Sequence, residues 1–91
     1  MSEPAATPPV KGRAIIRNRL DRLALGLLGE HHDVGDGTWE LVIDYGPGYR
    51  VYYGEWKGHV VVLLAGGTKH AQSRDIRAAK KYFEDFRRRN K

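Results

Sequence analysis

Cysteine is absent from this 91-residue chain. No disulfide can staple it and no thiolate can hold a metal. Long apolar runs are missing too. The most continuous, Val60-Val-Val-Leu-Leu-Ala65, falls far short of the roughly 20 residues that a helix needs to cross a bilayer. Residues Met1–Val10 have no apolar stretch of the kind that marks a secretory signal, so a cytoplasmic protein without membrane contact is expected. Proline is scarce except at the start, where Ser2–Val10 holds three of the four prolines. That segment has too little apolar surface to order itself and reads as a tail covering residues 1–11, with one domain over 12–91.

What is present is basic charge, unevenly placed. The formal net charge is +5. Residues 31–60 carry five carboxylates against two basic groups, while residues 61–91 carry nine basic groups against three acidic ones. Positive charge therefore gathers toward the two ends. Such a distribution suits a polyanion such as nucleic acid, although long basic side chains also solubilise helix faces.

Hydrophobic spacing predicts a helix over 12–28, with Ile16, Leu20, Leu23 and Leu27 as its buried stripe and Gly29 as its stop. Glu30–Gly37 reads as a polar loop. Three strands follow: 38–44, with Trp39, Leu41 and Ile43 facing the core; 49–54; and 60–64, whose continuous apolar run reads as an interior strand. Short connections make them antiparallel. A second helix is expected over 73–88, capped by Ser73 and buried along Ile76, Ala79, Phe83 and Phe86. The expected class is α+β: a three-stranded antiparallel sheet packed by an N-terminal and a C-terminal helix.

The most informative tract is Asp44-Tyr-Gly-Pro-Gly-Tyr-Arg-Val-Tyr-Tyr53. Gly46-Pro47-Gly48 makes a reversal, and the aromatic, β-branched stretch after it makes a strand. On that strand Arg50 shares one face with Tyr52, opposite Tyr49, Val51 and Tyr53. A guanidinium fixed on a sheet suits phosphate recognition. Taken alone, Arg50 reads as a solvated strand residue and Lys69 as a solvated loop lysine.

The wider arrangement resembles the RelE/ParE toxin superfamily, in its HigB-like addiction module killer branch. The resemblance rests on Trp39–Tyr53, on Val60-Val-Val-Leu-Leu-Ala-Gly-Gly-Thr-Lys69 and on Gln72-Ser-Arg-Asp-Ile76, and extends back to Arg13–Leu23. It implies a type II toxin acting as a ribosome-dependent messenger RNA endoribonuclease, with Arg50 and Lys69 on the scissile phosphate. His70 is the best-placed titratable group nearby. RNA-binding candidates are Arg13, Arg17, Arg22, Tyr52, Arg74 and Arg77. Tyr52 would stack on a base or pack in the sheet, and Tyr53 would pack in the core. Implied partners are the ribosome, messenger RNA and a cognate antitoxin, often a helix-turn-helix protein; no cofactor is implied.

Adjacent His31-His32-Asp33 has no helical i, i+4 partner and makes a poor metal set. Asp36 and Asp44 read as turn residues, and Trp56 at a hairpin tip as a contact surface. Family members usually open with a strand and a helix before the segment matching Arg13–Leu23; here the proline-rich tail stands in their place. Val42 occupies a position where many relatives carry a basic residue. These departures keep a second reading open: a catalytically inactive, shortened relative that binds antitoxin or nucleic acid, or a ParE-like gyrase inhibitor. They also predict an exposed sheet edge through which the chain would form a homodimer or recruit a partner.

Overall fold

The computed structural model describes residues 10–27, 29–46, 48–66 and 70–90. Helix α1 spans Val10–Ala24, strands β1 to β4 span His31–Gly35, Thr38–Ile43, Tyr49–Trp56 and His59–Gly66, and helix α2 spans Gln72–Arg89. The sheet is an antiparallel meander in the order β1-β2-β3-β4. The class is α+β, as expected, but the sheet has four strands rather than three.

The extra strand lies in the segment read as a polar loop. His31–Asp33 pair with Leu41–Trp39 on β2, and the register shifts between Asp33 and Gly35. Asp36-Gly37 closes this hairpin with φ of 56° and 75°, and Lys57-Gly58 closes the β3–β4 hairpin with 50° and 81°. Two consecutive positive φ values match the right-handed twist of the flanking strands, which is why two-residue hairpins favour them. The reversal between β2 and β3 is held by Gly48 N–H donating to Tyr45 O at 3.1 Å. Pro47 lies outside the described residues.

Strand alternation splits the sheet into two faces, each covered by one helix. On the first face Leu41, Ile43, Tyr49, Val51 and Tyr53 are buried with Leu23 of α1, and Ile15, Ile16, Leu20, Trp39 and Val60 pack against them. On the second face lie Thr38, Glu40, Arg50, Tyr52 and Gly54. There α2 seats Phe83 so closely that a Cβ on Gly54 would lie 2.5 Å from Phe83 Cε2. Glycine at this mid-strand position is the space that admits the ring.

Several boundaries differ from expectation. α1 stops at Ala24, four residues early. Gly26 takes φ 84°, its N–H donates to Leu23 O at 2.9 Å, and Leu27 N–H donates to Arg22 O at 2.9 Å. This is the paired bonding of a Schellman cap, so Gly26 rather than Gly29 ends the helix. Leu27 falls beyond it and is exposed, not part of the stripe. At the other helix, Ala71 occupies the N-cap position and Ser73 lies inside the first turn. Strand β4 is an edge strand, not an interior one: its only neighbour among the described residues is β3, and Val62 is 49% exposed.

Candidate functional site

Arg50 sits near the start of β3, on the α2 side of the sheet. Cross-strand register places it opposite Val42 on β2 and Gly66 on β4. Glu40, two residues from Val42 on the same face, is its diagonal neighbour. Glu40 is 3% exposed, and three groups converge on its Oε2. Gln72 Nε2 donates at 2.8 Å, Tyr52 O–H donates at 3.1 Å, and Arg50 Nε lies 3.5 Å away. Arg50 NH1 donates to Gly48 O at 3.1 Å.

The Arg50–Glu40 contact is an ion pair without a hydrogen bond through Nε, because that buried atom has no partner in bonding geometry. Thr38 Oγ1 is in the same position. An unsatisfied buried donor costs free energy, so Arg50 is held by charge and by Gly48 rather than fully locked. Its side chain keeps 16% of its surface accessible. Burial, then the nearby Glu40 charge, pushes the Tyr52 phenol well above the usual tyrosine range, so it stays protonated and remains a donor to Glu40. Asp75, in the first turn of α2, lies close by: a Cβ on Gly66 would be 2.5 Å from its Oδ2. Asp75 thus lies beside Gly66, and its charge acts on Tyr52.

Lys69 lies outside the described residues, and its distance from Arg50 is not defined. Gly66 before it pairs with Arg50, and Gln72 three residues after it bonds Glu40. His70 is exposed. Arg13, Arg17 and Arg22 on α1 and Arg74 and Arg77 on α2 are all exposed. Tyr52 is not available to stack on a base. It is fully buried and spends its hydroxyl on Glu40. Tyr53 is buried in the core, as expected.

Trp56 is half-buried rather than a free surface ring, set edge-on to Phe86 with ring centres 5.9 Å apart. His31 Nδ1 lies 2.9 Å from Gly29 O, and His32 Nε2 lies 3.3 Å from Glu30 Oε2. Among the described residues no group of three or more His, Cys, Asp or Glu could hold a metal ion. No described helix is long and apolar enough to cross a membrane. Glu40 carries no site signal of its own in the sequence, and Gln72 stands there only as part of the Gln72–Ile76 motif. Glu40 alternates with apolar neighbours in β2, which reads as a solvent face unless a second helix is known to cover it.

On the side of α1, a cleft of about 240 Å³ opens beside the end of β4. Ile16, Leu20, Tyr49 and Val51 line its apolar part, with Arg13 and Arg17 also on its wall.

Fold and site define an α+β protein whose four-stranded meander buries a carboxylate–arginine–tyrosine cluster beneath its C-terminal helix. The chain is 45% identical over 71 residues to an uncharacterized protein of Haemophilus influenzae, a match covering 78% of this chain and 72% of the relative. It belongs to the family of that protein. No family model matches the chain. No solved structure matches it.

Proposed function

We propose that this protein is a toxin of the RelE/ParE superfamily, in the HigB-like branch, and that it cleaves messenger RNA on the ribosome. The observation that carries this reading is the ladder position of Arg50. It stands opposite Gly66, at the point where β4 gives way to Gly67-Thr68-Lys69-His70, and Gln72 ties the far end of that segment to Glu40. Gly66 and Gln72, which bracket that segment, are thus both tied to the Arg50–Glu40 pair, and this supports the reading.

The reaction would join the RNA 2′-oxygen to phosphorus and break the bond from phosphorus to the 5′-oxygen. The 2′-hydroxyl proton goes to a base, and the leaving 5′-oxygen takes a proton from an acid. Arg50 and Lys69 would oppose the charge that builds on the non-bridging oxygens. His70, next to Lys69 in the chain, is the candidate for one of these proton transfers. Glu40 acts on Arg50 rather than on RNA, by holding the guanidinium on the sheet. The basic, exposed arginines of α1 and α2 would engage the RNA backbone, and a helix-turn-helix antitoxin would neutralise the toxin.

One observation favours the second reading, a non-enzymatic relative that binds antitoxin or nucleic acid. Arg50 is paired with a buried carboxylate, which weakens its pull on a phosphate. Expression in a bacterial host separates the two. Growth arrest relieved by Arg50→Lys and by Lys69→Ala, with both variants folded, supports the nuclease. Folded wild-type protein that never slows growth supports the binder.

A further inference from the structure

We propose that the outer edge of β4, with the cleft beside it, receives an extended peptide segment of a partner protein in which acidic and apolar residues alternate. The cleft lies on the α1 side of the sheet and meets the proposed site only at its end, where Arg50 and Gly66 also line it; the inference does not depend on the nuclease reading. Three observations carry it. First, β4 has no strand on its outer side among the described residues, and its sequence His-Val-Val-Val-Leu-Leu-Ala-Gly contains no Lys, Arg, Asp, Glu or Pro. The edge carries none of the charges or prolines that usually blunt an open strand, and its bulge, opposite the Tyr52–Tyr53 step, leaves the short Leu64–Gly66 stretch beside the cleft in regular register with β3 and able to pair. Second, the adjoining cleft offers Ile16, Leu20, Tyr49 and Val51 to the side chains of an added strand, and Val62, farther along β4, is half exposed. Main-chain pairing would give affinity and the cleft would select alternate apolar side chains. Third, the charge of α1 is one-sided: Lys11, Arg13, Arg17, Arg19 and Arg22 against Asp21. Arg13 and Arg17 are exposed at the cleft, which favours carboxylates on the incoming segment.

A second copy of the chain fits less well. β4 carries a bulge opposite the Tyr52–Tyr53 step, which breaks flat pairing of two whole edges. An antiparallel two-fold pairing would also lay both basic α1 helices on one face of the joined sheet, where they would repel.

The test uses isotope-labelled full chain titrated with a capped peptide of alternating valine and glutamate, beside a counterpart with lysine for glutamate. The proposal expects amide shifts along β4 and at least tenfold slower exchange of its outward amides with the glutamate peptide, and at least tenfold weaker binding of the lysine peptide. In Arg13→Glu/Arg17→Glu, with helix content retained, that preference should invert. Unmoved β4 amides, or equal binding of both peptides, would overturn the proposal. So would a free protein that sediments as a dimer with β4 already protected. A single-stranded RNA that moves the same amides at lower concentration than the peptide would assign the surface to RNA and overturn it as well.

Discussion

Glu40 and Arg50 are diagonal neighbours across the β2–β3 ladder, their charged atoms 3.5 Å apart beneath α2. The pair binds the sheet to the helix, because Gln72 at the start of α2 donates to the same Glu40 oxygen. It also decides how much of the Arg50 charge remains for any ligand.

Glu40→Ala should therefore be costly. It strands Arg50 without its counter-charge and leaves Tyr52 and Gln72 without their acceptor. Breaking a buried pair from one side costs about 3–5 kcal/mol. The expected loss lies at the lower end, because Arg50 keeps some access to water. Glu40→Gln retains an acceptor and should lose less. Urea unfolding at neutral pH measures both, and equal stability of wild type and Glu40→Ala would refute the pairing.

The raised pKa of Tyr52 gives a pH dependence of fixed sign. Below about pH 10 both folded and unfolded chains keep the proton, and the stabilisation is fully present. Above that, the unfolded chain releases it while the folded one does not. Stability then falls by about 1.4 kcal/mol per pH unit for this group, until the folded phenol itself ionises. Tyr53, raised by burial and by Glu55, contributes in the same direction. Tyr52→Phe should flatten the alkaline decline by one group's worth while lowering stability at neutral pH. An unchanged alkaline slope would show that Tyr52 titrates freely in the folded protein.

Gly54 and Phe83 form a matched pair of absence and bulk. Gly54→Ala forces a methyl into the ring and should cost about 1–3 kcal/mol, the usual range for overpacking. The cost should shrink in a Phe83→Leu background, since residues in contact are not additive. A double-mutant cycle with no coupling would mean that α2 sits elsewhere.

Much of this fold was legible in the sequence. Both helices, the β2 and β3 strands and the two-sided alternation of Tyr49–Tyr53 follow from periodicity. β1 was not, because His31-His32-Asp33 is polar and forms an edge with one paired side. The signal that could have found it is Asp36-Gly37, a two-residue hairpin turn that reads as loop when the strand before it is unrecognised. β4 reads as interior in the sequence because a continuous apolar run looks the same whether a neighbour covers it or, as among the described residues, none does. Glu40 was invisible for a related reason: its burial depends on where α2 lands, which local pattern does not encode. Arg50 was found from the aromatic strand around it, but its carboxylate partner was not.

The central claim is that Arg50 serves the cleavage of messenger RNA. The most direct measurement maps the ends of a translated message by primer extension after brief induction of the protein, with Arg50→Lys and Lys69→Ala alongside and circular dichroism to confirm that each is folded. The account predicts new cuts within the translated region for the wild type, and their loss in both variants. An intact message in cells making folded wild-type protein, or undiminished cutting by the variants, would contradict it.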